Sequence, residues 1–245
     1  GGRRSGRVGA GAGEARRAHA AAHGLDVARR RADRRDLLLE RQQRRDVLGA
    51  ARRERRRARV VDGPAAAARF FGPTGLALDA QGRVLVADGS NCRVRRVTSE
   101  GETTTIGGAD GPRIDGDPRG IIRARDGTVF VSTYLPHKIV TLSADGTTTT
   151  LAGAGTYGFA DGRGAAARFR FPNSIAEGPD GRIYVADRCN HSMRRIDREG
   201  NVTTVAGRPW DLDEGEEPAS IDGDIAVARF NGPRAIAVAS DGTIY

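Results

Sequence analysis

The feature that most constrains how this 245-residue chain can fold is an internal repeat that begins near Val61 and occurs four times. The first copy contains Gly-Arg-Val-Leu-Val-Ala-Asp at 82–88, and the third contains Gly-Arg-Ile-Tyr-Val-Ala-Asp at 181–187. The second copy keeps this frame but lacks the terminal Asp, and the fourth stops at Tyr245. Counted on the proline that opens each copy's first apolar run, the copies are 45, 54 and 61 residues apart.

Each full copy contains four short runs rich in β-branched residues, separated by glycine turns and without a helical pattern. Asp-Gly pairs at 126–127, 180–181 and 241–242 separate the first two runs, where a tight hairpin needs residues that accept positive φ. This pattern predicts an all-β chain of four-stranded antiparallel meanders, which are propeller blades. The blades are expected at about 62–108, 115–153, 161–207 and, truncated, 222–245, or about three and a half blades in all.

The copies contain, in order, Pro-x-Gly-aliphatic-Ala, Gly-x-aliphatic-x-Val-Ala-Asp, a following Asn, and Gly-x-Val-Thr-Thr-Val-Ala-Gly. This order of motifs resembles the NHL repeat over residues 62–245. The resemblance implies a propeller that closes with about six blades. Three and a half copies cannot close such a ring, so we expect the chain to be a fragment with its remaining blades after Tyr245 and with exposed sheet edges. The resemblance also implies a binding surface formed by loops on one face.

The first sixty residues differ sharply from the repeats, because they hold 19 of the 40 Lys and Arg residues and have a net charge of +12, against −3 for residues 61–245. We predict a low-complexity Arg/Ala-rich segment over residues 1–60, disordered at its start and compatible with a basic helix over 25–59. Its arginines could contact nucleic acid phosphates, but no aromatic residue lies among them to stack on bases. A solvated arm or a mistranslated leader is the preferred interpretation.

Two sets of residues recur at fixed places in the repeats. The first set ends the second strand or follows it by three residues, and short polar side chains there predict a structural turn: Asp88, Asn91, Asp187 and Asn190. The second set precedes the first strand, near the loops of one face, and supplies candidate rim residues for binding: Arg69, Arg168 and Arg229. We expect the phenylalanine after each of these arginines to wedge between neighbouring blades.

Neither the two cysteines nor the four histidines have metal-ligand spacing, and no nucleophile elbow or phosphate loop is present. The sequence therefore favours a non-catalytic platform that binds a protein or peptide, without a cofactor. Two alternatives remain open: a metal-assisted hydrolase or lyase of the six-bladed class, with a weak calcium or zinc site, and an RNA-binding propeller. No apolar run is long enough to span a membrane, and the sequence does not assign a compartment.

Overall fold

The computed structural model describes residues 60–107, 114–209, 220–224 and 227–245. The chain divides into the units Gly1–Arg55 and Arg56–Tyr245, and every described residue belongs to the second. The predicted basic segment, including the helix over 25–59, lies outside the described residues.

Three antiparallel sheets form three successive blades, each with its strands in sequence order. Blade 1 consists of β1 (Pro73–Leu78), β2 (Val84–Asp88), β3 (Arg93–Val97) and β4 (Thr103–Gly107). Blade 2 consists of β5 (Pro118–Arg123), β6 (Val129–Thr133), β7 (Lys138–Leu142) and β8 (Thr148–Ala152). Blade 3 consists of β9 (Gly162–Arg163), β10 (Pro172–Glu177), β11 (Ile183–Asp187), β12 (Ser192–Ile196) and β13 (Asn201–Gly207). The predicted meander, and with it the β-propeller fold, is confirmed.

The fourth copy forms the beginning of a further hairpin. Ala237 and Tyr245 exchange both of their backbone hydrogen bonds at 2.9 Å, and a bridge pairs Val238 with Ile244. A second bridge pairs Ile221 with Arg229 in the segment that leads into the copy. The described residues of this copy therefore continue the blade pattern with the pairing of its first hairpin.

In blades 1 and 3 the Asp-Gly segment that leads into the blade returns to the outermost strand of the same blade. In blade 3 this segment contains β9, which pairs with β13 through Val202 and Gly162. In blade 1 Gly63 and Thr103 exchange backbone hydrogen bonds of 2.9 and 2.8 Å. Blades 1 and 3 are thus closed on their outer sides by residues that precede their innermost strands, and the aspartate of each segment is held beside the sheet.

The hydrophobic core lies between the blades, because side chains of the second strands alternate between the two faces of each sheet. Val131 of blade 2 and Leu85 of blade 1 belong to one cluster of buried residues. Its neighbour Phe130 belongs to the cluster shared with Val185 of blade 3. Both faces of the middle blade are therefore buried, which accounts for the continuous apolar run of its second strand.

The predicted phenylalanine wedge is confirmed at the joint between blades 2 and 3. Phe169 is fully buried in the cluster that both blades share. Phe230 packs against the cluster between blade 3 and the fourth copy, whereas Phe70 is 36% exposed. In the described part of the chain, no helix is long and apolar enough to cross a membrane.

Candidate functional site

A pocket of about 510 Å³ opens where the first strands of the blades begin. This end of the sheets also carries the connections from each second strand to the third, because Pro73 pairs with Asp88 and Pro172 with Asp187. One part of the lining is the residue pair after the opening proline of each copy, and the other part is the residue after the second strand. The lining residues are Thr74, Gly75, Arg119, Gly120, Asn173, Ser174, Arg234 and Ala235 from the first group, and Tyr134 and Arg188 from the second.

Glycines let the first strands approach closely at this pocket. A Cβ atom on Gly120 would lie 2.6 Å from the carbonyl oxygen of Asn173 and 3.0 Å from the amide nitrogen of Ile175. A Cβ atom on Gly75 would likewise collide with the backbone of Arg119. Because these neighbours are backbone atoms that cannot rotate away, the Gly of Pro-x-Gly sets the spacing between successive blades.

Side chains at the same level tie each copy to the next. The Thr74 hydroxyl donates to the carbonyl of Arg119 at 3.0 Å, joining blade 1 to blade 2. The Ser132 hydroxyl accepts from the amide of Gly120 at 2.8 Å and donates to the carbonyl of Asn173 at 2.5 Å, joining blade 2 to blade 3. The Asn173 amide in turn donates to the carbonyl of Arg234 at 2.6 Å. The backbone around the pocket is therefore fixed across all four copies.

The pocket is positively charged. Arg119 pairs with Asp117 at 2.8 Å and lies over the ring of Tyr134, 4.8 Å from its centroid. The Tyr134 hydroxyl accepts a hydrogen bond of 3.0 Å from Nη1 of Arg188. Across the described residues, neither Arg188 nor Arg234 forms an ion pair with a carboxylate, and no lining residue is acidic. Two of the three arginines are thus uncompensated.

The four residues predicted to form structural turns lie in two matching buried networks, and none of them is among the lining residues of the pocket. In blade 3 the Asp187 carboxylate accepts from the Asn190 amide at 2.7 Å, from the backbone of Arg170 at 2.8 Å and from Arg194 at 3.0 Å. Arg194 is fully buried and also bonds Asp161 at 2.6 Å. Burial raises the pKa of Asp187 to about 6. The network links the turn, the third strand and the segment that precedes the blade.

Blade 1 repeats the network with the same atoms. Asp88 accepts from the Asn91 amide at 2.7 Å and from Arg95 at 3.1 Å, and Arg95 bonds Asp62 at 2.7 Å. Asp62 also accepts from the backbone of Thr105 at 2.9 Å. Sequence reasoning named the aspartates and asparagines but missed the buried arginines, because each stands in an Arg-Arg pair within an arginine-rich chain.

Blade 2 has no such network, because Thr133 and Val140 stand where blades 1 and 3 have the aspartate and the buried arginine. Val140 instead packs in the cluster between blades 1 and 2, together with Ile114. The same two positions therefore hold a buried ion pair in blades 1 and 3 and uncharged side chains in blade 2.

The three candidate rim arginines lie outside the pocket lining. The guanidinium of Arg69 donates to the carbonyls of Ala66, Ala67 and Ala68 at 2.8–3.0 Å. Arg229 makes the same kind of local contact with Val227 and Ala228, at 3.0 and 2.9 Å, and Arg168 is exposed. Arg69 and Arg168 also contribute backbone carbonyls to the buried Arg95 and Arg194. A ligand-binding role for these three residues remains a prediction.

Two histidines join neighbouring copies. Nδ1 of His137 accepts from the amide of Phe171, and Nδ1 of His191 accepts from the amide of Gly232, each at 3.1 Å. Burial lowers the pKa of both imidazoles, and the positive charge of Arg170 acts in the same direction. Among the described residues, no three His, Cys, Asp or Glu side chains form a group that could hold a metal ion.

The family model of the NHL repeat matches residues 70–97 and 169–196. These two segments run from Phe70 and Phe169 through the third strands of blades 1 and 3. A curated relative, the chloroplastic protein SUPPRESSOR OF QUENCHING 1 of Arabidopsis thaliana, is 37% identical over 81 residues. That match covers 33% of this chain and 8% of the relative.

Solved structures share the fold. An auxiliary nutrient binding protein from Bacteroides thetaiotaomicron has a TM-score of 0.57 at 23% identity, over 68% of this chain and 43% of that one. An auxiliary nutrient binding protein from Bacteroides ovatus gives 0.56 at 21% identity, over 70% and 44%. Virginiamycin B lyase from Staphylococcus aureus gives 0.50 at 18% identity, over 73% and 50%. The chain thus spans half or less of the length of each of these proteins.

Proposed function

We propose that this chain, a β-propeller built from NHL repeats, is a non-catalytic binding module that holds a segment of a protein or peptide partner in its pocket. The observation that carries the proposal is the fixed, positively charged lining that four successive copies contribute. Each copy supplies the same two backbone positions, tied together by Thr74, Ser132 and Asn173. A lining fixed in this way loses little freedom when a ligand binds, so more of the contact energy becomes affinity.

The proposed binding requires no cofactor. A metal-assisted hydrolase or lyase would need a cluster of ligands, and within the described ranges no such cluster exists. Similarity to a lyase at 18% identity reflects the fold and brings no residue roles with it. Binding is thus the function that the residues of the pocket support best.

Selection of phage-displayed random peptides on the immobilised full chain tests this proposal. Ala235 is exposed and lines the pocket, so Ala235→Trp should fill it and weaken the selected peptides by at least tenfold. Ala80→Trp is the matched control, because Ala80 is exposed in the turn between β1 and β2 at the opposite end of the strands. Failure to select any peptide, or equal binding by Ala235→Trp and the wild type, would contradict the proposal.

A further inference from the structure

We infer that Arg188 and Arg234 form a receptor for a single carboxylate group of the ligand, supplied either by an Asp or Glu side chain or by a free C-terminus. The inference rests on the proposed function, since it concerns the same pocket. It names the chemistry that the ligand must carry and the two residues that recognise it.

The charge distribution distinguishes these two arginines from the third. Asp117 offsets the charge of Arg119 at 2.8 Å, and both side chains are partly exposed. Arg188 donates one hydrogen bond from Nη1 to the neutral hydroxyl of Tyr134, and a guanidinium carries five N–H donors. Arg188 and Arg234 therefore retain donors and charge for a ligand, and two parallel N–H bonds to one carboxylate are the favoured geometry.

The scaffold itself does not require arginine at these two places. Thr74 and Asn173 occupy the position of Arg234 in blades 1 and 3, and both bond the next copy. The position of Arg188 is taken by Gly89 in blade 1 and by Tyr134 in blade 2. Because these blades form with other residues, packing alone does not explain either arginine.

A single anionic group fits this pocket better than a nucleic acid does. Base recognition in single strands uses free aromatic faces, but the one aromatic residue of the lining, Tyr134, already has Arg119 over its ring. Residues 61–245 carry a net charge of −3, so this part of the chain as a whole does not attract a polyanion. A polyphosphate chain needs many phosphate contacts, whereas one carboxylate needs only the two arginines that have no carboxylate partner among the described residues.

The test is an NMR titration of the full chain, following the Nε–Hε signals of its arginines. The probes are acetyl-Gly-Glu-Gly-amide, its Gln counterpart, acetyl-Gly-Gly-Gly with a free carboxyl end, inorganic phosphate and a single-stranded RNA hexamer. We expect saturable binding of at least one of the two carboxylate peptides, at least tenfold tighter than the Gln peptide. The tighter of the two identifies the source of the carboxylate.

Arg188→Gln and Arg234→Gln should each weaken the carboxylate peptides by about tenfold, the loss expected for one charge-assisted contact. Arg182→Gln should leave them unchanged, since Arg182 pairs with Asp180 in a turn at the other end of the strands. Affinities of both carboxylate peptides that are no tighter than that of the Gln peptide would overturn the inference. If the signals of Arg188 and Arg234 respond to phosphate or to the RNA hexamer with a tighter affinity than to both carboxylate peptides, the inference is overturned as well.

The inference and the proposed function fail in different ways. If selected peptides bind the pocket and Ala235→Trp blocks them, but their affinity does not change when every carboxylate is amidated, only the carboxylate receptor is excluded. If no selected peptide binds at all, the binding module itself is excluded.

Discussion

Replacing Arg194 by valine should destabilise blade 3 severely. Arg194 is fully buried and donates to two carboxylates and two carbonyls, those of Asp187, Asp161, Ala160 and Arg168. Its loss leaves the fully buried Asp187 without a counter-charge, while Asp161, with 48% of its side chain exposed, can still reach water. Removing one partner of a buried ion pair costs about 3–5 kcal/mol, and we expect a loss in that range.

Blade 2 supplies the matched control. It has Thr133 and Val140 at the positions of Asp187 and Arg194. The double variant Asp187→Thr/Arg194→Val therefore gives blade 3 the uncharged pair that blade 2 already has. Because the double variant leaves no buried charge unpaired, its cost should fall short of the sum of the two single costs by at least about 1.5 kcal/mol. The free energy of unfolding comes from urea denaturation followed by circular dichroism.

The pH dependence provides a second readout. The pKa of Asp187 is about 6 in the folded chain, against 3.8 for the unfolded side chain, so its ionisation opposes folding as the pH rises through this range. Without Arg194 the folded pKa should rise further, and the cost of Arg194→Val should be smaller at pH 5 than at pH 8. A loss below about 1 kcal/mol at pH 8, or strictly additive single costs, would refute this account.

Three further predictions follow. Gly120→Ala should lower the free energy of unfolding by about 1–3 kcal/mol, because its Cβ would lie 2.6 Å from the Asn173 carbonyl; unchanged urea denaturation would contradict this. The wild type should be more stable than His137→Gln at pH 7.5, and this difference in unfolding free energy should shrink as the pH falls below 6.5. The reason is that burial lowers the pKa of His137 in the folded chain, and protonation removes its Nδ1 acceptor. A difference in unfolding free energy that stays constant with pH would exclude this. Calorimetry of the full chain with Ca²⁺ or Zn²⁺ should give no saturable heat, and stoichiometric binding would instead favour the metal-assisted alternative.

The blade could be predicted from the sequence because its determinants are local. Glycine turns and β-branched runs fix a meander within about forty residues, and four copies leave little choice of architecture. The wedge was predictable for a similar reason, since a phenylalanine precedes the first strand in three of the four copies. No comparable local signal marks the partner of Asp187, seven residues away on the next strand.

One signal for the buried arginine was nevertheless present in the repeat. Asp88 and Asp187 each have an arginine seven residues later, and blade 2 lacks both members of the pair. The aspartate and the arginine are present together or absent together, as a buried ion pair requires, because either residue alone would be left unpaired. Strand alternation then separates Arg194, which is buried, from Arg195, which is partly exposed.

The pocket could not be predicted in this way, because it depends on residues in which the copies differ. Every copy begins a first strand at the same end, so the residue after the opening proline reaches the pocket in each of them. Thr74, Arg119, Asn173 and Arg234 therefore share one place in the repeat and one place in the fold. Since the frame around that position carries the structure, its side chain can change without loss of the blade, and ligand specificity can vary separately from stability.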